Sequence, residues 1–184
     1  SVDGQLECWG EMPEQMTAPT PPMVTFAPGP KHACGLTQDK RLLCWGDNSF
    51  RQLAPDPNIY KTLSIGPTNS CAIQDSSLPL CWGNDTTGIN ATPNKTMFAI
   101  SVGTTHACGI RSSNNAPECW GSGPASLMNP SKNLKLKQIA VSDQHACGIK
   151  LDGKLTCWGD NANNKLDAPE GTFIQLAVGP KFSC

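Results

Sequence analysis

Short alternating patterns of apolar and small residues recur along the chain and predict β-strands. In each, a large apolar residue is followed by a small one, then by an apolar residue or proline, and then by a turn residue. A period of two is typical of a strand with one buried face. The predicted strands span residues 24–28, 62–65, 99–102, 138–141 and 175–178. Their small central residues predict a crowded location, such as the lining of a narrow central channel.

Residues 145–161 predict a β-hairpin. Leu151, Asp152 and Gly153 fit a three-residue loop, in which glycine supplies the left-handed conformation of the last position. This register places Cys147 opposite Cys157. Directly opposed residues lie roughly 4.5–5.5 Å apart at Cα, which is within reach of a disulfide. We therefore predict a hairpin with a covalent cross-link.

The same hairpin recurs about every 37 residues. The first cysteines stand at 34, 71, 108, 147 and 184, and the second at 8, 44, 81, 119 and 157, so all ten cysteines belong to the pattern. A tryptophan follows each second cysteine, and each histidine stands two residues before a first cysteine. No segment has a convincing helical period. A fixed period of this length indicates a repeat architecture, here an all-β one.

The two ends of the chain carry complementary halves of one repeat. Residues 1–10 match the second half of a hairpin, and residues 173–184 match the first half. Four whole repeats and two halves predict one domain, residues 1–184, folded as a five-bladed β-propeller of short four-stranded blades. The blade shared by 173–184 and 1–10 would close the ring and leave no sheet edge.

Composition narrows the function classes. The net charge is −1 and the pI is about 6.2, which does not favour nucleic acid or an anionic membrane as a partner. No apolar run approaches the ~18–20 residues of a membrane span. No nucleophile elbow, P-loop or metalloprotease motif occurs, so we expect no catalytic residues, no cofactor, no metal and no enzyme activity. A monomeric propeller is the expected state.

Ten regularly spaced cysteines predict disulfides and an extracellular location. Zinc is the alternative, but it favours close pairs, whereas nine or ten residues separate the paired cysteines here. The hairpin register predicts one bridge per blade: Cys34–Cys44, Cys71–Cys81, Cys108–Cys119, Cys147–Cys157 and Cys8–Cys184. A rival scheme with the same periodicity joins neighbouring repeats: Cys8–Cys34, Cys44–Cys71, Cys81–Cys108, Cys119–Cys147 and Cys157–Cys184.

Polar loops follow the Cys-Trp-Gly triplets and supply the candidate ligand-binding residues. Equivalent loops of a propeller lie on one face, where carboxylates and amides suit sugar hydroxyls or a peptide backbone. The alternative is that these residues only form turns. The candidates are Asp47, Asn48, Asn84, Asp85, Asp160 and Asn161. Three N-x-S/T sequons also make Asn84, Asn90 and Asn94 candidates for N-glycosylation.

Tryptophan and histidine each allow two interpretations. The five tryptophans could stack on sugars, but their place after a structural cysteine favours packing between blades. His32, His106 and His145 could be bases or metal ligands, yet the repeat spreads them around the ring. A base needs a partner within hydrogen-bond reach, so structural hydrogen bonding is favoured.

Recurring Cys-Gly-Leu/Ile elements accompany the five Cys-Trp-Gly triplets. They are Cys34-Gly35-Leu36, Cys108-Gly109-Ile110 and Cys147-Gly148-Ile149. This pattern resembles the regulator of chromosome condensation superfamily in its secreted, disulfide-bonded form, and most closely the ectodomain of crinkly-type plant receptor-like kinases. The resemblance covers the whole chain and implies a β-propeller of short four-stranded blades. Those relatives have seven blades, whereas this chain has five repeats.

The sequence thus predicts an extracellular recognition module that binds a glycan, as a lectin does, or a peptide through polar loops on one face. The alternatives are a protein-interaction or inhibitor propeller, and a ligand-binding piece of a receptor-like kinase ectodomain. Nucleotide exchange on a small GTPase is implied only by the nuclear members of the superfamily, and the disulfides and sequons argue against it.

Overall fold

The computed structural model describes Leu6, Pro19, residues 21–53 and residues 58–184. Within these residues the chain forms four three-stranded antiparallel sheets, each in chain order. The strands are β1 (Met23–Pro28), β2 (His32–Thr37), β3 (Leu42–Gly46), β4 (Tyr60–Ile65), β5 (Asn69–Gln74), β6 (Pro79–Gly83), β7 (Met97–Val102), β8 (His106–Arg111), β9 (Pro117–Gly121), β10 (Leu136–Val141), β11 (His145–Lys150) and β12 (Leu155–Gly159). A one-turn helix, α1 (Ala125–Met128), and a 3-10 helix (Ala162–Asn164) lie in the loops between sheets.

The predicted hairpins are confirmed. In the fourth sheet, Cys147 pairs with Cys157 across β11 and β12, and Gly153 takes the predicted left-handed conformation with φ +87°. The first strand of each sheet pairs with the second and carries a register shift near its start. Four of the five predicted first strands are therefore present as strands.

Four of the predicted disulfides are confirmed, with Cα–Cα distances of 4.0 to 4.1 Å: Cys34–Cys44, Cys71–Cys81, Cys108–Cys119 and Cys147–Cys157. The rival scheme that joins neighbouring repeats is therefore wrong for these eight cysteines. Cys184 is an exposed free thiol. Its predicted partner Cys8 lies outside the described residues, so the Cys8–Cys184 bridge stays a prediction.

The sheets have three strands each, not the four that we expected per blade. The segment between one sheet and the next is rich in Asn, Asp, Gly and Pro. Its backbone N–H groups bond to side chains, as Leu53 does to Asn48 and Leu166 does to Asn161. Local side-chain bonds of this kind compete with a strand ladder, which explains why no fourth strand forms here.

A fifth unit begins at the end of the chain. Ala177 and Cys184 exchange both backbone hydrogen bonds at 2.9 Å, and Val178 bridges to Ser183. The same pairing joins Ala140 to Cys147 in the fourth sheet. The five-bladed ring and its shared blade remain a prediction, because residues 1–5 and 7–10 lie outside the described part.

The core lies between successive sheets. One buried cluster, for example, combines Ile73 of the second sheet with Met97 and Trp120 of the third. The glycine of the Cys-Gly-Ile/Leu element makes room for this packing: a Cβ on Gly148 would lie 2.7 Å from the Leu136 side chain. Because real Cβ atoms do not approach so closely, a side chain at Gly148 would displace the buried Leu136 side chain.

Candidate ligand-binding face

One side of the molecule carries the turns between the first and second strands, and we call it the channel face. These turns surround a cavity of about 450 Å³ to which all five repeats contribute. Asp143 is the charged side chain among the lining residues. The lining comprises Pro28, Gly29, Pro30, Ile65, Gly66, Pro67, Val102, Gly103, Thr104, Val141, Ser142, Asp143, Val178, Gly179 and Pro180. The opposite side, which carries the turns between second and third strands, is the hairpin face.

The small residues of the first strands do not line this cavity, contrary to our expectation. Instead, they face the next sheet. The hydroxyl of Ser64 accepts a hydrogen bond from Val102 N–H at 3.1 Å, and that of Ser101 accepts one from Val141 N–H at 3.0 Å. Because side chains alternate along a strand, it is the following residue that points into the cavity.

The candidate polar loops begin on the channel face. The backbone N–H of Asp47 donates to the backbone carbonyl of Lys31 at 2.8 Å. The equivalent N–H groups of Asn84 and Asp160 donate to backbone carbonyls in two other channel turns. These loops therefore begin on the same side of the molecule, next to the channel turns.

The side-chain oxygens of these loops are used within the loops. At the first position, Asp47, Asn84 and Asp160 each accept the N–H two residues later, at 3.0, 3.1 and 3.2 Å. At the second position, Asn48, Asp85 and Asn161 each accept the N–H five residues later, at 3.0, 3.0 and 2.9 Å. This two-residue pattern fixes the loop backbone, as Asx turns do.

Hydrogen bonds also explain the electrostatics of two loop carboxylates. The Ser49 side chain and backbone hold the pKa of Asp47 below its ordinary value. The Lys165 side chain does the same for the pKa of Asp160, with which it forms an ion pair at 2.8 Å. Both carboxylates are therefore charged at neutral pH, and their charges are engaged within the loop.

The seventh residue after each of the four described tryptophans is buried, a feature that sequence reasoning missed. Its carbonyl accepts the indole N–H of the next sheet: Trp82 to Gln52 at 2.8 Å, Trp120 to Ile89 at 2.9 Å and Trp158 to Leu127 at 3.0 Å. The fourth such residue is Lys165. The side chains of these four residues differ in chemistry. In the sequence, therefore, only their constant spacing of seven residues from the tryptophan could have revealed the position.

The indole contacts support the packing interpretation of the tryptophans. Trp45 and Trp120 are both buried, and the three indoles named above are tied to the preceding loop. An indole whose ring packs between sheets and whose N–H group already donates a hydrogen bond is poorly placed to stack on a sugar. Trp9 lies outside the described residues.

The three histidines are buried at the junctions between sheets. His32 Nε2 lies 2.9 Å from Ser70 Oγ of the next sheet, and His145 Nε2 lies 3.0 Å from Ser183 Oγ. The Ser70 hydroxyl donates to the Gln52 carbonyl at 3.0 Å. Its proton is therefore committed to a backbone acceptor, and His32 acts as a donor and not as a base toward this serine.

Burial lowers the pKa of all three histidines. Asp47 opposes the effect at His32, and Asp143 and the Ser142 backbone oppose it at His106. The rings are therefore neutral near pH 7. Within the described part of the chain, no group of three or more His, Cys, Asp or Glu residues is arranged to hold a metal ion.

An apolar groove of about 280 Å³ lies where the fourth sheet meets the fifth unit. Leu155, Leu176 and the Cys147–Cys157 disulfide form part of its lining, together with the free Cys184. At the other junctions, the tryptophan of the following sheet fills the equivalent space. Phe182 stands in the position that histidine occupies in three of the other repeats, and it is largely exposed.

Comparison with known proteins identifies the class of repeat. The model of the Regulator of chromosome condensation (RCC1) repeat matches residues 27–52 and 136–165. No curated protein sequence matches significantly. A propeller from Saccharomyces cerevisiae, Prp20p, matches with a TM-score of 0.70 over 91% of this chain and 56% of its own, at 16% identity, which supports the fold alone.

Plant receptor kinases provide the more similar structures. The entire ectodomain of a Physcomitrella patens receptor kinase is 28% identical, with a TM-score of 0.77 over 89% of this chain and 49% of its own. The CRINKLY WD40 ectodomain of an Arabidopsis thaliana receptor kinase is 25% identical, with a TM-score of 0.65 over 76% and 50%. The chain thus spans about half the length of these ectodomains.

Residues 27–52 and 136–165 thus match the regulator of chromosome condensation repeat, and each of the four sheets carries the same disulfide-bonded hairpin. Within that class it resembles the CRINKLY-type ectodomains of plant receptor kinases. The four intramolecular disulfides and these ectodomain relatives point to a secreted or extracellular protein. Among the described residues, no helix is long and apolar enough to cross a membrane.

Proposed function

We propose that the chain is an extracellular, non-catalytic interaction module that binds a peptide or protein on its channel face, as part of a ligand-binding ectodomain. The carrying observation is that five repeats contribute turns to one cavity on that face. A cavity rimmed by turns offers backbone N–H and C=O groups, which suit an extended peptide.

The loops around the cavity differ from one another, which favours one composite site. The first loop exposes Phe50, the third carries α1, and the fourth carries the 3-10 helix and Lys165. Five equivalent sugar sites, as in a lectin, would need five similar loops. Exposed aromatic residues such as Phe50 are the type of anchor that dominates protein recognition.

The loop hydrogen bonds also favour a peptide over a sugar. The candidate carboxylates and amides would have to meet sugar hydroxyls directly, yet each already accepts a backbone N–H of its own loop. A ligand would therefore use the remaining atoms of these groups and the turns. Glycan binding through the six candidates stays the weaker proposal.

A displayed library of random peptides, selected on the folded protein, tests the proposal. Selected peptides should bind with a stoichiometry of one by calorimetry, and a glycan array should give no signal. Phe50→Ser, in the first of the loops that begin on the channel face, should weaken binding about tenfold or more, as loss of an aromatic anchor does. Phe98→Ser is the matched control, because Phe98 is 41% exposed against 45% for Phe50 but lies in a first strand.

Three outcomes would contradict the proposal. Glycans could bind with several equivalents per chain, no peptide could be selected, or Phe98→Ser could weaken binding as much as Phe50→Ser. The last result would show that the ligand does not bind mainly on the channel face.

A further inference from the structure

The loop between β6 and β7 carries all three sequons, and the structure distinguishes between them. It leaves the channel face after Gly83 and reaches the hairpin face at Met97. We propose that Asn94 carries an N-linked glycan and that Asn90 does not. The inference is independent of the proposed binding function.

Asn94 is presented to solvent on every side of its sequon. Asn94, Lys95 and Thr96 are all exposed. In the part of the chain that the structure describes, the Asn94 amide makes no hydrogen bond, so its Nδ2 is available without breaking any contact. The neighbouring backbone is anchored, since Ser112 N–H donates to the Thr96 carbonyl at 2.9 Å. An exposed acceptor on an ordered surface loop is the usual setting of an N-glycan.

The side chain of Asn90, in contrast, is engaged in the fold. Its Nδ2 donates to the Gly83 carbonyl at 3.2 Å, and its Oδ1 is buried without a hydrogen-bond partner. Its backbone N–H is also fixed by Asp85 at 3.0 Å. A glycan on Nδ2 would have to stand between the loop and the sheet edge, where a bulky polar group has no room. Thr92, the threonine of the same sequon, is itself half-buried.

Asn84 is intermediate. It is half-buried, its Oδ1 accepts the Thr86 N–H, and its backbone carbonyl accepts the Asn69 amide. Its side chain thus builds the start of the loop. Of the three sequon asparagines, Asn94 is the one that is exposed and whose side chain makes no hydrogen bond in the described structure.

The modification itself is a group transfer in the secretory pathway. The Nδ2 of Asn94 loses one proton and forms a bond to the anomeric carbon of an oligosaccharide carried on a polyprenyl diphosphate. The bond from that carbon to the phosphate oxygen breaks, and the polyprenyl diphosphate leaves. A secreted protein passes through the secretory pathway, where it meets this donor.

The glycan would stand near the hairpin face, between the second and third sheets. Lys95 reaches Glu118 of β9 at 2.7 Å, and Thr96 contacts the turn that follows β8. This position is remote from the channel turns, so the modification leaves the channel face open. It would shield an exposed stretch that includes Phe98.

Secretion of the chain from eukaryotic cells tests the assignment. Peptide-N-glycosidase converts a glycosylated Asn to Asp, so peptide masses of the wild-type protein should show this conversion at Asn94 and not at Asn90. The double variant Asn84→Gln/Asn90→Gln should keep a glycan, whereas Asn84→Gln/Asn94→Gln should migrate without a shift after digestion. Conversion at Asn90, or an unmodified Asn94 in the secreted wild type, would overturn the proposal, and neither reading depends on a variant that must fold.

Discussion

His32 Nε2 lies 2.9 Å from Ser70 Oγ, and this contact joins the first sheet to the second. Since Ser70 donates to the Gln52 carbonyl, the ring must carry its proton on Nε2. The repeat places Ala146 at the position equivalent to Ser70, next to the third sheet. There, neither ring nitrogen of the buried His106 has a hydrogen bond of normal geometry within the described part of the chain.

Ala146→Ser should therefore stabilise the protein. The new hydroxyl would accept from His106 Nε2–H and donate to the Leu127 carbonyl, which is the equivalent of Gln52. Satisfying a buried donor in this way contributes about 0.5–1.5 kcal/mol. For a chain of this size, each kcal/mol raises Tm by about 2–4 °C. Thermal unfolding followed by near-ultraviolet circular dichroism measures the change.

Ala107→Ser is the matched control, because its neighbour is Asn69 and not a histidine. The Asn69 amide already donates to the Asn84 carbonyl at 2.5 Å. An equal gain in Tm at Ala107 would show that the histidine is not the cause. In a His106→Asn background, the gain from Ala146→Ser should disappear, as a double-mutant cycle requires of an interacting pair.

Mild acid should weaken the fold through the three buried histidines. The three buried histidines have a folded pKa below the ordinary 6.5, whereas the unfolded chain keeps the ordinary value. Their stabilising contribution is therefore complete above pH 6.5 and is lost as the pH falls through the lowered folded pKa. We expect a lower Tm at about pH 5 than at about pH 7.5.

The carboxylates provide the internal control for this window. Asp39, Asp47, Glu118 and Asp160 have lowered pKa values from ordinary values of 3.8 to 4.5, so their contribution is lost only in stronger acid. His106→Asn should make the profile less steep above pH ~5, because His32 and His145 still contribute, and should leave the acid limb unchanged. A profile that is flat between pH ~7.5 and ~5 in the wild type would contradict the histidine explanation.

The hairpins, their disulfides and the single repeat type were predictable because each depends on local spacing. Cys147 and Cys157 are placed opposite each other by one turn, and Gly153 fixes that turn. The number of strands per sheet was not predictable in this way. Whether Leu53 N–H bonds to Asn48 or to another strand depends on competition between partners.

The junctions carried a sequence signal that was overlooked. Where the first strand has alanine in its middle, as at Ala27 and Ala140, the next repeat has serine before its first cysteine, Ser70 and Ser183. Where the strand has serine, the next repeat has alanine. Each junction thus has one hydroxyl bridge, of one type or the other: Ser64 to Val102, Ser101 to Val141, His32 to Ser70 and His145 to Ser183. Comparing neighbouring repeats, and not only equivalent positions, would have revealed it.

Trp120→Phe should destabilise the protein more than Trp45→Phe. Both indoles are 8% exposed, but of these two only Trp120 donates, among the described residues, to a buried loop carbonyl, that of Ile89 at 2.9 Å. Leaving that carbonyl without a donor costs about 1–3 kcal/mol. In the described part of the chain Trp45 makes no such bond. Denaturant unfolding should show the difference in midpoint, and equal losses would mean that ring volume alone matters.

The predicted Cys8–Cys184 bridge depends on the groove beside the fourth sheet. Cys184 pairs with Ala177 as Cys147 pairs with Ala140, so its side chain is in the position from which the other first cysteines form a disulfide. A following strand with a Cys-Trp-Gly triplet would fill the groove, as β6, β9 and β12 do at the other junctions. Residues 8–10 supply such a triplet within this chain.

Alkylation of the native, unreduced protein decides whether the bridge forms. If it does, no thiol should react, and Cys8→Ser/Cys184→Ser should lower Tm more than Cys34→Ser/Cys44→Ser. In the chain-entropy model, closing nearly the whole chain contributes about 5 kcal/mol, against about 2.5–3 for a local hairpin bridge. Opening the ring would also expose a sheet edge and promote dimers. Stoichiometric labelling of Cys184 in the native wild type would show instead that the bridge does not form and that the groove suits a strand other than residues 8–10.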